Sequence, residues 1–146
     1  DMEGITTLIN MVDATNVGLA FDSWNFKVSG ASIDDLKKLN AGQIVSVRLA
    51  DLPGDDVAPA DIIEEHRFMP GSTGKIDFEP IMAALRENGY DGPVTAAPHR
   101  KTLGRGRKDM IVEKVSQTLD RLMAPPAPEP VTVTEPDASE VTPTEG

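Results

Sequence analysis

The chain has 146 residues, no cysteine and a formal net charge of −10. Without thiols there can be neither a disulfide nor a thiolate metal site. The acidic balance argues against the phosphate neutralisation that drives non-specific nucleic-acid binding, and no apolar stretch reaches the roughly 20 residues of a membrane span.

The chain opens on Asp1 rather than Met, which reads as a processed chain or a fragment, and no signal-peptide pattern follows. Ile5, Leu8, Ile9 and Val12 recur at helical spacing. Val17–Asp22 (VGLAFD) reads as a buried strand. Ser32 is placed to cap a helix whose first turn carries Asp34 and Asp35. Gly42 ends that stretch, and Ile44–Ala50 (IVSVRLA) is the second strand. A loop rich in Gly, Pro and Asp runs from Asp51 to Gly74. Phe78, Ile81, Met82 and Leu85 mark a helix that stops at Asn88-Gly89. Pro93–Ala97 (PVTAA) is a third strand. Lys108–Met123 is a helix with Ile111, Val115, Leu119 and Leu122 on one face. Beyond it, residues 124–146 are rich in Pro, Thr and Glu, contain no aromatic residue, and carry half of the net charge. They cannot bury enough apolar area to offset chain ordering, so they read as a disordered acidic tail behind a folded body of residues 1–123.

Helix and strand alternate in the rhythm of parallel βα units, which sets the fold class as α/β. Strand parity places Asp22 with Ala20 and Gly18, Arg48 with Ser46 and Ile44, and His99 with Ala97 and Thr95. Each strand then has one apolar face for helices and one smaller, more polar face. That pattern suits a barrel interior whose functional groups gather at the C-terminal strand ends. A doubly wound sheet would favour apolar residues on both faces. A complete (β/α)8 barrel needs about 250 residues, so the expectation is the C-terminal part of a barrel, about three βα units.

The segments VGLAFDSWNF, VRLAD, HRFMPGSTGKIDF and GYDGPV, in this order and spacing, resemble the last three βα units of the sugar phosphate isomerases/epimerases. These are xylose-isomerase-like TIM barrels, a group that also includes tagatose epimerases, inosose dehydratases and endonuclease IV. The resemblance implies aldose–ketose isomerisation or epimerisation by proton transfer next to a carbonyl. The substrate would be a small sugar or sugar phosphate handled in the cytoplasm, and the N-terminal half of the barrel would be missing here. It also implies a divalent metal, Mg or Mn, held by two Glu, one Asp and one His. Asp22 matches the metal-ligand Asp. Asn25 stands where the family commonly has a substrate-contacting His. Arg48 stands at the position of the ligand His and Ala97 at that of a Glu that binds metal and abstracts protons. An Ala cannot ligate and an Arg repels a cation, so the metal site reads as degenerate. The competing reading of Asp22 is an ion pair with Arg48 on the neighbouring strand.

Arg67 matches an Arg that often reaches substrate, ahead of the turn Pro70–Gly74. Trp24 is either a sugar-stacking wall or a core aromatic beneath the loop. Asp51 is either part of the site or a brace for its own loop. The densest basic stretch, His99–Lys108, holds Arg100 and Arg105 and lies where barrels often bind phosphate. His99, with a pKa near neutrality, is the candidate for proton transfer. Asp22 and His99 are thus the catalytic candidates; Trp24, Asn25, Arg48, Arg67, Arg100 and Arg105 are the substrate-binding ones. Two other functions fit the same fold. One is a non-catalytic domain that binds a carbohydrate or acidic metabolite. The other is an endonuclease-like activity, disfavoured by having only two histidines.

Overall fold

The computed structural model describes residues 2–12 and 16–125. All but the first two residues of the expected acidic tail lie outside them. Three parallel strands, β1 (Leu19–Asp22), β2 (Ile44–Leu49) and β3 (Val94–Ala96), pair in the order β1-β2-β3. Helices α1 (Met2–Val12), α2 (Ser23–Val28), α3 (Ile33–Lys37), α4 (Glu79–Glu87) and α5 (Lys108–Met123) alternate with them. No helix of the described residues is long and apolar enough to cross a membrane.

One face of the sheet is sealed. Phe21, Val47 and Leu49 meet Phe26 of α2, Leu36 and Leu39 of the α3 region, and Ile81 and Leu85 of α4. The side chains that repeat at helical spacing in α4 are the ones buried. Ser32 caps α3 as expected and forms a capping box with Asp35, and the Lys38 ammonium, joined by the Ser32 hydroxyl and N–H, holds the Asp35 carboxyl well below the usual carboxylate range. Gly89, at φ +75°, takes the left-handed conformation that ends α4. The opposite face is open. It presents Ala20, Arg48 and Thr95 to solvent, with Ser46 half-buried.

The expected parity fails at one point. Ile44 does not share a face with Ser46 and Arg48. It is buried in the core, while Val45 is half-exposed. The cause is a register shift between Leu19 and Ala20: Leu19 pairs with Ile44, but Ala20 pairs with Ser46. An extra residue on β2 at Val45 inverts the alternation upstream of it. Gly18 lies against the irregularity, where an added Cβ would sit 2.6 Å from Val45 Cγ1 and 2.9 Å from the Gln43 carbonyl oxygen. Gly18→Ala should therefore cost about 2 kcal/mol in urea unfolding, because the Gln43 backbone cannot turn away as a side chain can.

The sequence reading also lacked α2. Asp22 ends β1 and at once becomes the N-cap of this six-residue helix, accepting hydrogen bonds from the backbone N–H groups of Trp24 and Asn25, each at 3.1 Å. A strand thus turns into a helix with no intervening loop, and this fixes the direction of the Asp22 carboxylate.

Candidate functional site

Asp22, Arg48 and Thr95 are direct register partners across the three strands, so the C-terminal strand ends share one rim. Ala97 continues the third strand there, its N–H donating to the Leu49 carbonyl at 2.7 Å. The end of β1 and the loops that follow β2 and β3 meet at Arg67. A single nitrogen of that side chain, Nη1, donates to both oxygens of Asp22, at 2.9 and 2.8 Å. The guanidinium carbon lies 4.7 Å from the centre of the Trp24 ring, a cation–π distance. The Arg67 carbonyl accepts from the His99 N–H at 2.9 Å and from the Thr102 hydroxyl at 2.6 Å. One arginine therefore binds the end of β1, its own loop after β2, and the loop after β3.

Asp22 therefore has a different principal partner from the one expected. Arg67, 45 positions away, takes the carboxylate, and Arg48 stands off at 3.8 Å from Oδ2 with half of its side chain exposed. Burial explains the preference. Asp22 and Arg67 are both nearly inaccessible, and charges removed from water need close, hydrogen-bonded partners. Arg48 points from the open face and can stay hydrated.

Trp24 is the core aromatic of the two readings offered. It is 6% exposed, its indole N–H donates to the His66 carbonyl at 3.3 Å, and Arg67 covers its ring. Asn25 is exposed beside it. Asp51 braces its loop. The fully buried carboxylate accepts from the N–H groups of Leu52, Thr73, Gly74 and Ile76. An antiparallel bridge between Asp51 and Phe68 then sets the residue next to Arg67. The turn Pro70–Gly74 thus positions Arg67 through Asp51. Ser23 adds a second lock. Its hydroxyl, fully buried, donates to the Ala50 carbonyl at 2.8 Å and accepts from the Ala50 N–H at 3.0 Å. Neither Ser23 nor Thr102 was singled out in the sequence, since a lone hydroxyl carries no pattern.

His99 is half-buried, and its Nδ1 accepts from the Lys101 N–H at 3.3 Å, so Nδ1 is the basic nitrogen of the neutral ring and Nε2 carries the N–H. Lys101 also pairs with Glu65, joining the loop after β3 to the loop after β2. That hydrogen bond holds the Glu65 carboxyl below its ordinary value of 4.5. A depressed carboxylate pKa gives a contribution that is present at neutral pH and fades as pH falls through the folded value. Protection of the Phe68 and His99 amides should accordingly weaken as pH falls below the ordinary carboxylate value of 4.5, and Glu65→Gln should remove that dependence. Arg100 and Arg105 are exposed and make no ion pair among the described residues.

The expected metal does not suit these residues. The Asp22 carboxylate is filled by two backbone donors and Arg67, Arg48 adds a second positive charge, and Ala97 supplies no ligand. Among the described residues no three His, Cys, Asp or Glu side chains gather to hold an ion.

The family model described as "Xylose isomerase-like TIM barrel" matches residues 1–121. An inosose isomerase of Bacillus velezensis is 26% identical over 117 residues, 80% of this chain and 41% of that protein. An inosose dehydratase of Lacticaseibacillus casei is 34% identical over 101 residues, 60% of this chain and 32% of that protein. The crystal structure of the IolI protein with a bound zinc atom superposes with a TM-score of 0.69 at 24% identity, over 80% of this chain and 41% of that one. The chain thus spans about two fifths or less of each of these proteins.

Proposed function

Because the chain belongs to the xylose isomerase-like TIM barrel family, we propose that its strand-end rim is part of the ligand site of a cytoplasmic isomerase-like protein acting on an inosose or a similar polyhydroxy ketone. The observation that carries this is the meeting of Asp22, Arg48, Arg67 and His99 at the C-terminal strand ends, where barrels of this kind place their chemistry. Relatives named as inosose isomerase and inosose dehydratase support the ligand class.

In this reading Arg48 and Arg67 donate hydrogen bonds to carbonyl and hydroxyl oxygens, and Asn25 borders the pocket. His99 takes the proton from the carbon next to the carbonyl on Nδ1, releasing the 3.3 Å bond from the Lys101 N–H, and returns it either to the other face of that carbon or to the former carbonyl carbon, the neighbouring hydroxyl proton then passing to the former carbonyl oxygen. Asp22 holds Arg67 in place. The exposed apolar residues of α1, Ile5, Leu8 and Met11, suit contact with the further βα units that such a barrel needs.

The test is deuterium exchange. An inosose incubated with the protein in deuterated water should gain deuterium next to its carbonyl, and His99→Asn should abolish the gain. One observation favours a second reading, that of a non-catalytic binding domain. The carboxylate at the site is tied to Arg67 and is not free to act as a base. Binding of the inosose without any exchange would establish that alternative.

The loop of residues 98–108 adds a proposed anion contact for phosphorylated ligands. Arg100 and Arg105 can offer planar, paired donors to an oxyanion. An exposed loop should bind inorganic phosphate with a Kd of about 1 mM, weakened by salt. In an NMR titration the Arg100→Ala and Arg105→Ala variants should each lose most of the response.

A further inference from the structure

We infer that Arg67 is the resident cation of this site. It holds the position on Asp22 that a divalent ion would otherwise occupy, so ligand oxygens are met by guanidinium groups without a metal. This deepens the function proposed above and rests on it only for the place where the ligand sits.

Four observations combine. First, the Asp22 carboxylate is used up. Oδ1 accepts from Trp24, Asn25 and Arg67, and Oδ2 accepts from Arg67 at 2.8 Å while facing Arg48 Nε at 3.8 Å. A divalent ion on this carboxylate must either displace Arg67 or sit beside two guanidiniums. Displacement would leave a positive charge, 6% exposed, without its partner, and approach without displacement meets repulsion from both.

Second, Arg67 is not an incidental visitor. Its guanidinium packs on the Trp24 ring, while its carbonyl bonds to His99 and Thr102 and the Asp51–Phe68 bridge beside it fix the backbone that carries the side chain. Third, the neighbouring strand ends contribute no alternative ligand, since the third strand carries Ala97 and the second Arg48.

Fourth, the arginine keeps a donor in reserve. Arg67 Nε is buried and has no hydrogen-bond partner among the described residues; Glu64 Oε1 stands 3.6 Å away on a side chain that is 76% exposed. A buried N–H without a partner is costly. A carbonyl or hydroxyl oxygen of the ligand would satisfy it. In a metal-dependent site that polarising role belongs to the ion; here a guanidinium anchored on Asp22 performs it.

The test needs no turnover, so its outcome is separate from that of the exchange assay. Zinc chloride is titrated by calorimetry into the native protein and into the D22N, R67M and D22N/R67M variants. Melting temperatures are recorded with and without EDTA. The native protein should show no saturable heat, and EDTA should leave its melting temperature unchanged. R67M should melt on the order of 10 °C lower, and adding D22N should recover more than half of that loss, since the unpaired carboxylate is then gone. Should R67M fail to fold, the likewise uncharged R67Q takes its place in the cycle. A one-site zinc isotherm of the native protein that disappears in D22N would overturn the inference. So would losses that simply add in the double variant.

Discussion

Asp51→Ala should lower the unfolding free energy by about 4 kcal/mol, the largest effect expected of any polar substitution in this chain. The carboxylate is fully buried and accepts from four backbone N–H groups, two of them in the turn at Thr73 and Gly74. Alanine strands those donors, and water reaches only the partly buried ones. Asp51→Asn keeps one oxygen and should lose about half as much. Urea unfolding measures the free energy. Hydrogen exchange should also show residues 52–76 opening well before the sheet, because this one side chain ties both ends of the loop. Equal loss of protection in the loop and in β2 would mean that the loop has no independent opening, and the brace would be misread.

Phe21→Ala should cost about 4 kcal/mol, by the loss of buried area and the cavity left behind. Phe21 is 1% exposed and lies 5.3 Å from the Phe26 ring at a tilt of 55°. It immediately precedes Asp22, and a half-open pocket of about 160 Å³ already lies beside it, lined by Ile5, Leu19 and Phe26. The neighbours there have little with which to fill a further gap. Phe21→Leu should cost about 1.5 kcal/mol. A destabilisation below about 1 kcal/mol for the alanine variant would contradict the position of Phe21 at the centre of the core.

Much of the fold could be read from periodicity. Helix α5 occupies the residues expected, Lys108–Met123, and β2 differs by one residue at its end. Alternation in β1 and β2 put Asp22 and Arg48 at one rim, and the register pairs them directly. What escaped the sequence shares a physical cause: it depends on contacts rather than on pattern. Helix α2 is too short for periodicity to register, and its one signal was Asp22 acting as N-cap, a role masked by its position in a strand. The bulge at Val45 leaves no mark in an apolar run, and only Gly18, just ahead of the neighbouring strand, hints at a close approach. The Asp22–Arg67 pair crosses 45 positions and depends on the path of an irregular loop, so strand adjacency pointed to Arg48 instead. The two readings of Trp24 and of Asp51 could be separated only by burial.

In the proposed site, the end of β1 and the loops after β2 and β3 gather around Arg67 to receive one ligand. The most direct measurement is an amide NMR titration of the 146-residue chain with an inosose. Shifts should concentrate at Asp22, Asn25, Arg48, Arg67 and His99, with Arg67→Lys losing most of the response because its point charge cannot reproduce the guanidinium donors. Shifts confined to α1 and the cavity beside β1, or a full response in Arg67→Lys, would contradict that site.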